Sequence, residues 1–176
     1  MKPKILLTSF QTWLPHHKSN SSDDLLQLLP QQQDFVSLHF LRQLPVDIQL
    51  ATQQVISEIQ TIEPNGIICC GMAEKRDKLT IESQAICDDR CLYTLVNLTE
   101  LIKQLSQTEL SKDAGKFVCE GLYYQVLEYT QSLTREIPCI FVHVPKINKH
   151  NQAIIQQDFD LIIKYLAELI SRLPNS

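Results

Sequence analysis

The sequence has few of the features that mark several large classes of protein. Its 176 residues include four glycines and one tryptophan, and its net charge is -4. Because no basic stripe is available to neutralise a phosphate backbone, we expect no nucleic-acid partner. No window approaches the roughly 18 apolar residues that a membrane-spanning helix needs, so we expect no membrane partner either.

Export signals and disulfide frameworks are also missing. The apolar run that begins at Ile5 is much shorter than the core of a secretory signal, which predicts a cytoplasmic location. We therefore expect the six cysteines to be free thiols. Cys69 and Cys70 are adjacent in an apolar run, so their side chains should lie on opposite faces of a strand and pack in the core. We expect no cofactor.

What the sequence does contain is typical of one globular α/β domain over residues 1–176. Its composition is 44% hydrophobic and 20% charged, and short β-branched runs alternate with longer amphipathic stretches. This pattern predicts a largely parallel sheet with its ligand site at the carboxyl ends of the strands. We predict strands over 4–10, 35–44, 67–71, 79–87 and 138–144, and helices over 22–29, 47–62, 99–105, 117–133 and 152–173.

One cysteine lies where a helix is predicted to begin. Cys119 follows Gly115 in the segment 114–120, AGKFVCE, and a helix N-terminus favours the thiolate, the form that attacks carbonyl groups. Glu120 opposes this effect, because a neighbouring negative charge raises the pKa of a thiol. On these residues alone, a buried structural cysteine is the more common explanation.

Two ionisable side chains interrupt apolar strands. His143 lies near the end of the strand over 138–144 and could act as a base towards Cys119, although a core histidine bonded to a backbone carbonyl explains it equally well. Glu82 lies in the strand over 79–87, where a solvated face is the simple explanation. The adjacent His16 and His17 have no evident third ligand, so we expect no metal site.

Three segments resemble the motifs of the pyroglutamyl-peptidase type I (pyrrolidone-carboxylate peptidase) family. Residues 79–90, LTIESQAICDDR, are similar to the family's ITVERVAINIDDAR; residues 114–120 are similar to AGTYVCN; and residues 141–145, FVHVP, are similar to FIHVP. The resemblance implies a three-layer αβα domain, phosphorylase/hydrolase-like, with a central, mostly parallel twisted sheet. It also implies a catalytic triad of Cys119 as nucleophile, His143 as base and Glu82 as the group that orients the imidazole.

The same resemblance implies further site residues. Residues 8–14, TSFQTWL, are similar to the family's TGFEPFG, which implies that Phe10 and Trp13 bracket the lactam ring of the substrate. Gly71 and Met72 correspond to the start of a pocket segment. Arg90 corresponds to an arginine that, with amides at the start of the Cys119 helix, could bind the oxyanion.

The chain also departs from the family pattern. Ser9 and Leu14 replace glycines, residues 72–76 read MAEKR where the family has QAGGR, and the segment between Arg90 and Cys119 is shorter. The implied function is removal of N-terminal pyroglutamate from peptides. The alternatives are a cysteine hydrolase of another small amide and a non-catalytic ligand-binding homologue. The apolar face of the helix over 152–173, with the family's tendency to assemble, leaves a homo-oligomer open.

Overall fold

A seven-stranded sheet lies at the centre of the fold in the computed structural model, which describes residues 2–30, 32–115 and 117–173. The strands are β1 (Lys4–Phe10), β2 (Gln32–Gln33), β3 (Val36–Leu44), β4 (Gly66–Met72), β5 (Thr80–Glu82), β6 (Gln84–Cys87), β7 (Arg90–Tyr93), β8 (Glu109–Ser111) and β9 (Cys139–Val144). The helices are α1 (Ser21–Gln27), α2 (Ile48–Ile62), α3 (Leu98–Ile102), α4 (Val118–Ser132) and α5 (Gln152–Arg172).

The strand order of the central sheet is β2-β3-β1-β4-β9-β5-β8. Strands β3, β1, β4 and β9 are parallel to one another. Strand β2 is antiparallel to β3, and β5 is antiparallel to β9 but parallel to β8. Strands β6 and β7 form a separate antiparallel pair. The predicted α/β class with a mostly parallel sheet is confirmed.

Two apolar cores lie on opposite faces of the sheet. One joins the sheet to α2 and α4 and includes Cys69. The other joins it to α1, α3 and α5 and includes Cys70. Because successive side chains of a strand point to opposite faces, the two adjacent cysteines supply one residue to each core, as predicted. All six cysteines lie in described residues, and all are free thiols.

Local capping explains where two helices begin. The carboxylate of Asp47 accepts a hydrogen bond of 2.8 Å from the Leu50 amide, which confirms the predicted cap of α2. For α1, the capping group is the side chain of Asn20, which accepts from the Ser22 amide at 3.0 Å. Helix α1 therefore starts at Ser21, one residue earlier than predicted.

The predicted strand over 79–87 is divided at Ser83. The amide and hydroxyl of Ser83 both donate to the Ser111 carbonyl, at 2.8 and 3.0 Å. The chain then leaves the central sheet and pairs with β7 instead. Strands β2, β7 and β8 were not predicted, because each has four residues or fewer and no apolar run. The division leaves Glu82 as the last residue of β5.

Within residues 2–30, 32–115 and 117–173, no helix has the length and apolarity required to span a bilayer.

Candidate active site

The carboxyl ends of β1, β4 and β9 meet the start of α4 around one cavity of about 260 Å³. Its walls combine aromatic and apolar side chains with a few ionisable ones, including Phe10, Trp13, Met72, Arg76, Cys119 and His143. Parallel strands present their carboxyl ends at one edge of a sheet, which is where ligand sites form in open α/β folds. The cavity occupies that position.

The pairing of β5 with β9 brings Glu82 to His143. In the antiparallel register, Thr80 lies opposite His143 and Glu82 lies opposite Phe141. Glu82 and His143 are therefore diagonal neighbours on one face, within reach of each other. The His143 Nδ1 lies 2.7 Å from Glu82 Oε1, and the two residues are 4% and 0% exposed. This contact links two residues that sequence analysis could only propose as neighbours.

Arg76 is a second partner of the Glu82 carboxylate. Its Nη1 donates to Glu82 Oε1 at 2.6 Å, and its Nη2 donates to the Asp113 carbonyl at 2.6 Å. Burial opposes ionisation of Glu82, but the interactions with His143, Ser111 and Arg76 outweigh it and lower the pKa of Glu82 below its ordinary value. Glu82 is therefore an anion at neutral pH. Because an ionised carboxylate only accepts hydrogen bonds, Nδ1 of His143 carries the hydrogen between them.

Cys119 lies beside His143 because α4 begins directly over β4. The Cys119 Sγ is 2.7 Å from the point where a Cβ on Gly71 would stand. Gly71 is paired with His143 in the parallel register of β4 and β9, and paired side chains on neighbouring strands are about 4.8 Å apart. Both Cys119 and His143 line the cavity. The structure thus brings Glu82, His143 and Cys119 together.

The thiol of Cys119 is not the preformed thiolate that a helix N-terminus favours. Burial, followed by the charge of Glu82, raises the pKa of Cys119 to about 12. Glu120 adds to this increase, as expected, while its carboxylate accepts a hydrogen bond from the Ile86 amide. At neutral pH the resting site therefore holds a neutral thiol beside an imidazole and a carboxylate.

Three of the predicted substrate-binding residues lie on the cavity wall. Phe10 is 2% exposed and forms part of the core as well as the wall. Trp13 is 42% exposed at the opening. Met72 also lines the cavity, and its sulfur accepts a hydrogen bond from the Ser21 amide at 3.5 Å.

Two other predicted site residues lie elsewhere. Gly71 is beneath Cys119, where the lack of a side chain admits the sulfur and the Phe141 ring, and it does not form part of the cavity wall. Arg90 lies on the β6–β7 pair, which turns away from the central sheet after Ser83. Its guanidinium is 3.1 Å from Glu128 and 5.5 Å from the Tyr124 ring centre. Arg90 therefore does not reach the cavity.

Sequence analysis missed Arg76 and Asp113 as parts of the cavity wall. A signal for Arg76 was present, since it matches the last residue of the family's QAGGR segment. Nothing in the sequence indicated Asp113. It lies beside Arg76 because its backbone carbonyl accepts a hydrogen bond from the Arg76 guanidinium. Lys116, inside the segment that carries Cys119, lies outside the described residues.

A group of possible metal ligands lies outside the cavity wall. Ligand atoms of His16, His17 and Glu74 lie within 4.8 Å of one another. The expectation that the two histidines lack a third partner is therefore wrong. Glu74 comes from the segment after β4, which is distant in sequence.

Comparison with known proteins gives a consistent answer. The chain is 24% identical over 168 residues to the pyrrolidone-carboxylate peptidase of Thermoanaerobacter sp. (strain X514), covering 81% of this chain and 82% of that protein. It is 25% identical over 169 residues to the pyrrolidone-carboxylate peptidase of Halalkalibacterium halodurans, covering 80% and 83%. No family model matches the chain.

Two solved structures share the fold over nearly the whole chain. The pyroglutamyl peptidase I of Bacillus amyloliquefaciens aligns with a TM-score of 0.81 and 21% identity, covering 95% of this chain and 96% of that one. The pyrrolidone carboxyl peptidase of Thermococcus litoralis aligns with a TM-score of 0.83 and 17% identity, covering 98% and 96%. Over most of its length the chain is therefore similar in sequence to pyrrolidone-carboxylate peptidases, and over nearly all of it the chain shares the fold of the pyroglutamyl peptidase I structures.

Proposed function

We propose that this protein is a cysteine omega-peptidase that removes N-terminal pyroglutamate from peptides. The observation that carries the proposal is the 2.7 Å contact between Glu82 and His143, beside the Cys119 thiol at the wall of one cavity. A nucleophile, a base and a group that orients the base are the parts that covalent hydrolysis of an amide requires. The peptide substrate is inferred from the names of the relatives.

The proposed reaction starts from a neutral thiol. His143 Nε2 takes the proton from Cys119 as the sulfur attacks the carbonyl that joins pyroglutamate to the next residue. The carbon–nitrogen bond then breaks, and the leaving amine takes that proton from His143. Water next hydrolyses the thioester with His143 again as base, which releases pyroglutamate and restores the thiol. Glu82 remains ionised and holds the Nδ1–H side of the ring throughout.

The start of α4 offers donors for the oxyanion. The first helical hydrogen bond joins the Gly121 amide to the Phe117 carbonyl at 3.1 Å. The amides of Val118, Cys119 and Glu120 therefore precede the bonded part of the helix. Donors of this kind, fixed beside the attacked carbonyl, stabilise the developing charge. We assign the oxyanion site to these amides, since Arg90 lies away from the cavity.

The cavity wall suits a flat, uncharged ring. Phe10, Trp13 and Met72 supply apolar surface near Cys119, and such surface favours a lactam over a charged amino terminus. A pyroglutamyl group would then lie between the two aromatic side chains with its exocyclic carbonyl towards the sulfur.

Hydrolysis of a chromogenic pyroglutamyl amide tests the proposal. Wild-type protein should release the chromophore, and Cys119→Ala should not, while Cys91→Ala, which removes an exposed thiol on β7, should retain the wild-type rate. Rapid quenching should also trap a species heavier by one pyroglutamyl group, located on Cys119. Equal, negligible release by wild type and Cys119→Ala would refute the proposal.

A second candidate function is hydrolysis of a different small amide. The cavity contains the charged side chains of Arg76 and Asp113, and Met72 replaces a polar residue of the family pattern. The two charged side chains favour a blocking group more polar than the lactam, while Met72 removes a polar contact that the family pattern would offer to the lactam. A panel of N-blocked amides, compared by kcat/KM in wild type and Cys119→Ala, separates the two functions. If no blocked amide turns over, the protein is a ligand-binding homologue.

A further inference from the structure

The loop between β1 and α1 brings two imidazoles to one carboxylate oxygen. His17 Nε2 is 3.3 Å from Glu74 Oε2, and His16 Nε2 is 3.8 Å from the same atom. The two imidazole ring centres are 4.4 Å apart. We call His16, His17 and Glu74 the rim cluster, since they lie just beyond the opening of the cavity that contains Cys119.

These separations are those of ligands on one metal ion. Four ligands placed tetrahedrally at about 2.0–2.1 Å from zinc are about 3.4 Å from one another. The two nitrogen–oxygen distances in the rim cluster are within about half an ångström of that value. Small side-chain rotations would therefore bring all three ligands to bonding distance.

We propose that His16, His17 and Glu74 bind a divalent transition-metal ion, with Zn²⁺ as the best match. Two imidazoles and a carboxylate are ligands that zinc accepts readily. The fourth position opens towards a crevice of about 270 Å³ that His16 and His17 line. A water molecule or an added ligand would occupy it.

The charges around Glu74 allow this role. Lys146 pairs with Oε1 of Glu74, which leaves Oε2 directed at the imidazoles. Lys146 is 58% exposed at its side chain and can move into solvent. It competes with a metal ion for the carboxylate but does not occupy the ligand position.

His17 is already held in place. Its side chain is 1% exposed, and its ring packs edge-on against Trp13 with centres 4.7 Å apart. Its Nδ1 has no hydrogen-bond partner among the described residues. Metal binding would place the proton on Nδ1 and exchange the Nε2 hydrogen bond to Glu74 for a bond to the ion.

Metal binding would connect the rim cluster to the cavity. Trp13 contacts His17 and also lines the cavity, and Met72 lines both the cavity and the crevice. A bound ion would tie the loop after β1 to the segment after β4 and fix Trp13 at the opening. The binding itself does not depend on the proposed peptidase activity.

Calorimetric titration of the chelator-treated full chain with Zn²⁺ tests the site, in a Cys91→Ser background that removes an exposed thiol. We expect one ion per chain with a Kd of about 1 μM or lower. His16→Ala and Glu74→Gln should each weaken binding at least about tenfold. His150→Ala, which removes an exposed histidine far along the chain, should change the affinity less than about twofold.

Two further measurements make the test specific. Lys146→Ala should bind Zn²⁺ more tightly than the parent, because the competing ammonium is gone. Co²⁺ bound at the site should show visible bands of a four-coordinate ion without a thiolate charge-transfer band. No binding below about 100 μM, or equal affinity in the parent and in Glu74→Gln, would overturn the proposal. A hydrolysis assay is not needed for any of these outcomes.

Discussion

The interior of the candidate site and its rim are built in different ways. The interior consists of Gly71, Glu82 and His143 on strands, with Cys119 on the first turn of α4. Sheet register sets the positions of the three strand residues, and Glu82 and His143 are almost fully buried. The rim consists of the loop over 11–19, the segment over 73–79 and the loop over 112–117, excluding Lys116. Trp13 and Phe117, which belong to the rim, are 42% and 57% exposed.

The interior and the rim also differ in how closely their sequences resemble the family motifs. The segments that resemble the family contain Glu82, Cys119 and His143, whose positions depend on strand pairing and on the start of a helix. Most of the departures fall on the rim, namely residues 73–76 of MAEKR and Leu14, whereas Ser9 and Met72 lie in β1 and β4. Loops tolerate such change because few buried contacts depend on them. We therefore expect reactivity to depend on the interior and substrate preference on the rim.

Removing the base should have a larger effect than any substitution at the rim. We expect His143→Ala to lower kcat/KM for the cleaved amide about 10²–10⁴-fold, because a general base contributes that much. Arg90→Ala should stay within about twofold of wild type, since its guanidinium pairs with Glu128 outside the cavity. Steady-state kinetics on the three proteins measure both effects. A large loss in Arg90→Ala would show that the β6–β7 pair takes part in the reaction.

Two phenylalanines that line the cavity should differ in their effect on stability. Phe10→Ala should lower the free energy of unfolding by about 3–5 kcal/mol, because it leaves a void in the core beneath the site. Phe117→Ala should lower it by less than about 0.5 kcal/mol, because that ring is exposed. Urea unfolding measures both. Similar losses would mean that the rim is as tightly packed as the interior.

Sequence analysis was most informative for the interior. Strands β1, β4 and β9 are long and apolar, so hydrophobic pattern alone located them, and Asp47 marked the start of α2. Cys119, His143 and Glu82 were predicted partly from their positions and mainly from resemblance to family motifs. Their meeting depends on the register of β5 with β9, which no local pattern encodes.

The remaining features depend on contacts between distant segments. Arg76 reaches Glu82 and Asp113, and Glu74 reaches His16 and His17, although each pair is separated in sequence by at least six residues. Short edge strands such as β8 lack a hydrophobic period, so their pairing could not be predicted. The helix start at Cys119 favoured a thiolate, but the structure holds a neutral thiol there, because burial outweighs the helix dipole and raises the pKa of Cys119.

A smaller effect should separate two glycines, one in the interior and one at the rim. A Cβ on Gly71 would lie 2.7 Å from Cys119 Sγ and 3.0 Å from the Phe141 ring, so Gly71→Ala should destabilise the protein by about 1–3 kcal/mol. It should also displace Cys119 and slow its alkylation by iodoacetamide. Gly115→Ala meets no atom within 4 Å but has a φ of +90°, so about 1 kcal/mol of backbone strain is expected without slower alkylation. Equal alkylation rates in both variants would contradict the close packing of Cys119 on β4.

The smallest predicted effect concerns Trp13. Because this ring lines the opening and is partly exposed, Trp13→Ala should raise KM about threefold to tenfold, the range expected for one aromatic contact, while kcat is retained. The free energy of unfolding should change little, because the aromatic contact of Trp13 is with His17, in the same surface loop. Trp13→Phe should restore most of the affinity and serves as the matched control. If kcat falls while KM is unchanged, Trp13 positions the reacting groups. That result would contradict the expectation that reactivity depends on the interior and substrate preference on the rim.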